Sequence, residues 1–247
     1  MTALPATIDA LVRPFLPSPT LVLILTPLVI AYTAAAAAFA GWLRRVKGVA
    51  APYTRKIFHF SIFTMAGAIQ LTVGLPGVVI FGSVVSATVL WAIYRGDASA
   101  LYEALARPSD RPRRTLFIVV PLLTTAFGGV LANLLFARMA FVGYLVCGWG
   151  DALGEPVGTR WGKHRYRVPS LAGVPATRSL EGSSAVFLAG AMAAFLGLAL
   201  AGVAPITAAL VALAAGLTGA VVEAFSTHGL DNLTVQVAAA AAAFFLL

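Results

Sequence analysis

The sequence predicts an all-α fold: a polytopic integral membrane bundle of about eight transmembrane helices, within a range of about seven to nine. The 247 residues are 60% hydrophobic and 11% charged, with a mean hydropathy of +0.92, whereas soluble domains are about half apolar and a quarter charged. So few polar residues cannot cover a water-soluble particle, which excludes soluble globular and disordered proteins. The predicted spans are 20–43, 57–74, 76–94, 115–136, 139–153, 183–203, 205–225 and 232–247.

The basic residues predict how these spans are oriented. Apart from Arg13 and Arg138, all of them lie in three alternate loops, at 44–56, 95–114 and 160–178. By the positive-inside rule these loops are cytoplasmic and the N-terminus lies outside. The net charge of +8 is then explained by contact with membrane lipid headgroups, and we expect no nucleic-acid partner. We expect the protein to reside in the inner or plasma membrane of a prokaryotic cell.

We expect one transmembrane domain over 1–247, in which 1–54 form the first helix with its basic loop and 55–235 form a motif-bearing core. The single cysteine, Cys147, cannot form an internal disulfide. We interpret the loop at 95–114 as a topology signal with no chemical role, and the segment after Lys163 as a loop. The oligomeric state is left open.

The first polar motif opens the second span. Arg55 and His59 are four residues apart and share a helix face, with Lys56 beside them. Two cations and an imidazole at the bilayer surface suit a phosphate group. The alternative is that these are ordinary basic and interfacial residues at a cytoplasmic helix end.

In the richest motif, glycine recurs every fourth residue and each glycine is followed by a polar residue. Such a stripe lets a helix or ligand approach the backbone closely, while carboxylates beside it suit Mg²⁺ and a phosphate chain. The spacing is not that of a Walker P-loop. The alternative is that the glycines serve packing alone, and Pro156 predicts a partly unwound helix. The glycines are Gly150, Gly154, Gly158 and Gly162, and the polar residues are Asp151, Glu155, Thr159 and Lys163.

Two further motifs lie at the start of the sixth span and between the end of the seventh span and the start of the eighth. Ser179 is a natural N-cap, and with Arg178 it predicts an anion site at a helix N-terminus. Glu223 and Asp231 can complete a metal site or act as a base; alternatively, Asp231 and Asn232 only cap the last helix. All these motifs fall on the cytoplasmic side, whereas a transporter would place ionisable groups near the bilayer midplane.

Together these motifs resemble the CTP-dependent polyprenol kinase family, which includes phytol, farnesol and dolichol kinases and the yeast-type diacylglycerol kinase. The resemblance extends from Arg55 to Val235 and implies transfer of the γ-phosphate of CTP, or another nucleotide, to an isoprenoid alcohol. The sequence departs from the family pattern in two places. Arg178 replaces the usual lysine, and Asp231 stands alone where two aspartates are common.

On this basis we predict a role for each motif. Mg²⁺ is bound by Asp151 with Glu155 or Glu181, and the catalytic groups are Asp151, His59, Glu223 and Asp231, with Asp231 or Glu223 orienting or deprotonating the lipid hydroxyl. The nucleotide and its phosphates are bound by Arg55, Lys56, Gly158, Gly162, Lys163, Arg178, Ser179, Gly182 and Asn232.

Two other functions compete with this prediction. Phosphatidate cytidylyltransferases share the Gly-Asp…Gly-Lys…Glu-Gly pattern and also use CTP, but they form a CDP-lipid and carry a Lys-Asp signature that this chain lacks. A lipid-binding protein or transporter without enzymatic activity ranks third.

Overall fold

The computed structural model describes residues 12–171, 174–227 and 229–247, and within them the chain is almost entirely helical. Eight of the described helices have sixteen residues or more. They are α1 (Pro19–Arg45), α2 (Ala51–Thr72), α3 (Leu75–Arg95), α5 (Leu116–Phe136), α6 (Ala140–Trp161), α7 (Leu180–Leu200), α8 (Pro205–Phe225) and α9 (Asp231–Leu246), with the short α4 (Ala100–Leu105) between α3 and α5 and a hairpin of β1 (Arg165–Leu171) and β2 (Val174–Ser179) between α6 and α7.

Each predicted span overlaps one of these long helices, so the helical membrane class is confirmed. Five helical segments among the described residues are long and apolar enough to cross a membrane, and one of them contains both α5 and α6. The number of helices that cross the bilayer and their orientation remain predictions. The five segments are Pro19–Arg45, Leu75–Ala98, Leu116–Trp161, Leu180–Leu200 and Pro205–Phe225.

The segment between α6 and α7 differs from the prediction of a loop. It forms an antiparallel pair in which Arg165 lies opposite Ser179 and Arg167 lies opposite Thr177. The hairpin ends directly at α7, where the Ser179 hydroxyl accepts a hydrogen bond from the backbone N–H of Gly182 at 3.1 Å. The predicted N-cap is therefore confirmed, and the hairpin fixes where the neighbouring Arg178 lies.

Helix α6 lies at the centre of the bundle, packed against α2, α7 and α9. It is continuous through Pro156, so the expected unwinding is absent. The glycine stripe packs against α7: a Cβ at Gly154 would collide with the Val186 side chain, and one on Gly182 would lie 3.0 Å from the Gly154 carbonyl oxygen. The glycines therefore serve helix packing, and the carboxylates one position further round face other helices.

Candidate active site

A buried ion cluster joins α2 to α6. The Lys56 ammonium is only 3% exposed and lies 2.5 Å from Asp151 Oδ1 and 2.8 Å from Glu155 Oε2. Lys56 lies near the start of α2, which begins at Ala51 with Pro52 in its first turn. Because a buried charge requires partners, this lysine fixes both carboxylates rather than extending toward solvent.

His59, one turn along α2, contacts the other oxygen of Asp151. Its Nδ1 lies 2.7 Å from Asp151 Oδ2, and its ring packs edge-on against Phe63 with the centroids 4.3 Å apart. Because an ionised carboxylate only accepts hydrogen bonds, Nδ1 carries the hydrogen. The other ring nitrogen, Nε2, is buried and has no hydrogen-bond partner among the described residues.

A second cluster is centred on Arg178 at the end of the hairpin. Its guanidinium binds Glu223 Oε1 at 3.0 Å and Asp231 Oδ2 at 2.9 Å. Burial lowers the pKa of Arg178, but these two carboxylates outweigh that effect and raise it above its ordinary value. Asp231 Oδ1 in turn accepts hydrogen bonds from the backbone N–H groups of Gly229 and Asn232, at 3.1 and 3.0 Å. The turn before α9 therefore holds this aspartate in place.

The two clusters meet at three carboxylates. Asp151, Glu223 and Asp231 each offer an oxygen atom within 4.8 Å of the others. Oxygen ligands of one Mg²⁺ lie roughly 3–4 Å apart, so a small movement would bring these groups onto a single hydrated cation. Neither of the other two predicted ligands belongs to this trio: Glu155 binds Lys56 and Arg107, and the Glu181 carboxylate lies 2.7 Å from His164 Nδ1.

Arg107 belongs to this region although the sequence assigned its loop no chemical role. Its guanidinium binds Glu155 Oε1 and Asp110 Oδ2, both at 3.0 Å. Burial lowers the pKa of Arg107, and the two carboxylates more than offset that and raise it. The signal that could have indicated this is an arginine three residues before an aspartate in a loop rich in basic residues.

Two cavities adjoin these clusters. The larger, of about 370 Å³, is polar, and the smaller, of about 100 Å³, is apolar. Asp151 and Phe117 line both, so the carboxylate at the centre of the ion network also separates the two spaces. Charged and hydroxyl groups of the polar cavity include Arg107, Thr159, Arg178, Ser183, Glu223 and Asp231. The apolar cavity is lined by Phe58, Ile62, Phe63, Val85, Val89, Ile118 and Leu122, with Arg55, His59 and Asn232 among its polar residues.

The structure brings most of the sequence-predicted residues to these two cavities. Those lining the polar cavity are Asp151, Glu155, Gly158, Arg178, Ser179, Gly182, Glu223 and Asp231. Arg55, His59 and Asn232 line the apolar one, and Lys56 lies buried between two carboxylates. Like Lys56, three other predicted residues line neither cavity: Lys163 is exposed after α6, Gly162 faces Ser179, and Glu181 contacts His164.

A comparison with known proteins identifies the family to which the chain belongs. Over 217 residues the chain is 30% identical to a protein named phytol kinase from Synechocystis sp., with 85% of each chain covered. The chain belongs to the polyprenol kinase family. No protein-family model and no solved structure matches it.

Proposed function

We propose that the protein is a membrane lipid kinase that transfers the γ-phosphate of CTP, or of another nucleoside triphosphate, to the hydroxyl of an isoprenoid alcohol. Phytol, farnesol, geranylgeraniol and dolichol are the candidate acceptors. Its relative from Synechocystis sp. is named for phytol kinase activity, and the sequence motifs resemble those of CTP-dependent enzymes. We propose that the reaction occurs at the cytoplasmic face of the membrane.

One observation carries the proposal: Asp151 lies in the wall of a polar cavity and of an apolar one. The reaction needs two substrates of opposite character, a polyphosphate that is soluble in water and an alcohol dissolved in the membrane. A shared wall lets the two reacting ends meet while each substrate stays in the surroundings that suit it.

The polar cavity suits the nucleotide phosphates. Arg107 and Arg178 line it with fixed guanidinium groups that match phosphate oxygens, and Gly158 and Gly182 belong to the same lining. Asp151, Glu223 and Asp231 would hold Mg²⁺, which neutralises charge on the phosphates when bound. Arg178 already contacts two of these carboxylates, so it lies within reach of the same ligand.

A labelling assay tests the proposal against the other functions. Purified protein is incubated with Mg²⁺, CTP labelled at the α- or the γ-phosphate, and phytol, farnesol, diacylglycerol or phosphatidate. We expect γ-label alone in the phosphorylated prenol. The appearance of α-label in phosphatidate would establish a cytidylyltransferase instead. Absence of transfer, together with uptake of lipid or nucleotide by proteoliposomes, would establish a transporter.

A further inference from the structure

We infer that the apolar cavity between α2, α3 and α5 binds the hydroxyl end of the prenol, with the hydroxyl donating a hydrogen bond to His59 Nε2. This inference rests on the proposed function, because it takes a prenol as the ligand. The sequence motifs and the relative's name do not specify the binding site of the acceptor or the residues that select it.

The lining of the cavity suits a hydrocarbon. Phe58 and Ile62 come from α2, Val85 and Val89 from α3, and Leu122 from α5. A volume of about 100 Å³ is well below the roughly 300–1,000 Å³ of pockets that enclose whole ligands. The cavity therefore takes only the leading part of a prenol, and the rest of the tail lies outside it among the membrane lipids.

His59 supplies the polar contact that a prenol needs. Its Nδ1–H is bound to Asp151 at 2.7 Å, so Nε2 is the ring nitrogen left to accept a hydrogen bond. That atom is buried without a partner among the described residues, and a buried acceptor that lacks a donor is destabilising. An alcohol entering the apolar cavity brings one donor, and binding it here places its oxygen on the side of the His59 ring opposite Asp151, so the ring links the hydroxyl to that carboxylate.

The same lining selects between acceptor classes. A diacylglycerol carries two ester groups close to its hydroxyl. Donors are present only at the polar end of the cavity, at Arg55, His59, Thr125 and Asn232, whereas the rest of the lining is hydrocarbon, from Phe58, Ile62, Phe63, Val85 and Val89, where an ester carbonyl would lose its hydrogen bonds to water. A prenol carries only hydrocarbon there. The site therefore favours prenols over diacylglycerols.

The first test fills the cavity and uses a readout that does not need turnover. A farnesol analogue with a diazirine on its first isoprene unit is photo-crosslinked to wild-type protein and to Val89→Phe. The matched control is Leu90→Phe, because Leu90 neighbours Val89 on α3 but is 53% exposed. We expect cross-linking to fall by about tenfold or more in Val89→Phe, and to be unchanged in Leu90→Phe, while both bind labelled CTP as wild type does.

Equal cross-linking in Val89→Phe and Leu90→Phe would overturn the inference. If Val89→Phe does not fold, the test uses Val85→Leu instead, which adds one methylene group to the same cavity. The test separates the inference from the proposed function. If the protein has no kinase activity but Val89→Phe still blocks cross-linking, the binding site is supported and the proposed kinase function is refuted. If the protein phosphorylates farnesol and Val89→Phe leaves the KM for farnesol unchanged, the kinase function is supported and the binding site is refuted.

The second test removes the proposed hydroxyl contact. In His59→Asn the amide can still donate to Asp151 from near the position of Nδ1, but nothing replaces Nε2. We expect the KM for farnesol to rise and cross-linking to weaken, with CTP binding unchanged. A loss of CTP binding as large as the loss of farnesol binding would assign His59 to the nucleotide and overturn this contact.

Discussion

Asp151 is the residue at which the polar network and both cavities meet. One of its oxygens binds Lys56 and the other binds His59, and the residue also belongs to the carboxylate trio with Glu223 and Asp231. Asp151 thus contacts a cation and an imidazole and lies in the wall that the two cavities share. Its substitution should therefore affect chemistry more than folding.

For Asp151→Asn we expect kcat for prenol phosphorylation to fall by at least ~100-fold, in line with the loss of one preorganised electrostatic group. The protein should still insert and elute as a folded species, because the amide is nearly isosteric. Asp97→Asn is the control, since Asp97 is 71% exposed and pairs with Arg114 away from the cavities. A kcat within about threefold of wild type in Asp151→Asn would contradict this assignment.

Lys56 should affect stability as well as activity. Its ammonium is enclosed by Asp151 and Glu155, so Lys56→Met leaves two partly buried carboxylates without their shared cation, with His59 and Arg107 as their remaining partners. Breaking a buried pair in this way costs about 3–5 kcal/mol, measured as the free energy of unfolding in detergent with a chemical denaturant. The control Lys47→Met removes an exposed lysine that stacks on Trp42. Equal stability of the two variants would disprove the structural role given to Lys56.

At the scale of elements, the glycine stripe of α6 determines how closely α7 approaches. In Gly154→Ala the new methyl group collides with the Val186 side chain, and overpacking of this kind costs about 1–3 kcal/mol. Adding Val186→Ala should restore much of the lost stability, because it removes the colliding methyl groups. Gly82→Ala is the control, since a Cβ there has no neighbour within 4 Å. Unfolding midpoints in detergent test all three variants; no rescue by the double variant would show that the collision is not the cause.

The helices were predictable from the sequence because hydrophobic segments of bilayer length need only local information. Ser179 was recognised as a cap for the same reason. The contacts of the site were harder to predict, since Lys56 and Asp151 are separated by 95 residues. A four-residue period shows which side chains share a helix face but not which helix they contact. The sequence therefore placed Glu155 and Glu181 with the metal, whereas the structure pairs Glu155 with Lys56 and Arg107 and Glu181 with His164.

The sequence did not indicate the hairpin, and it indicated the loop before α5 but no chemical role for it. Both lie between long helices, where hydrophobic periodicity is absent, and both bring an arginine to the polar cavity. Arg178 was recognised from its motif, but Arg107 was not, because its partner Glu155 lies on a distant helix. Ion pairs between a loop and a helix depend on tertiary packing and leave little trace in local sequence.

At the scale of the whole molecule, the positive-inside rule predicts that the polar cavity lies at the cytoplasmic side of the membrane. Lys163→Cys and Arg138→Cys place exposed thiols on opposite sides, and the native Cys147 is buried, which keeps background labelling low. A membrane-impermeant maleimide should label Lys163→Cys only in inside-out vesicles and Arg138→Cys only in right-side-out ones. The opposite pattern would invert the topology.

The central claim is that a nucleotide in the polar cavity phosphorylates an alcohol that enters from the membrane. The most direct measurement is a product balance by mass spectrometry on purified protein with CTP, Mg²⁺ and phytol. The account predicts phytyl monophosphate and CDP in equal amounts, with neither formed by Asp151→Asn. Pyrophosphate accompanied by a CMP-bearing lipid, or equal product from Asp151→Asn, would contradict it.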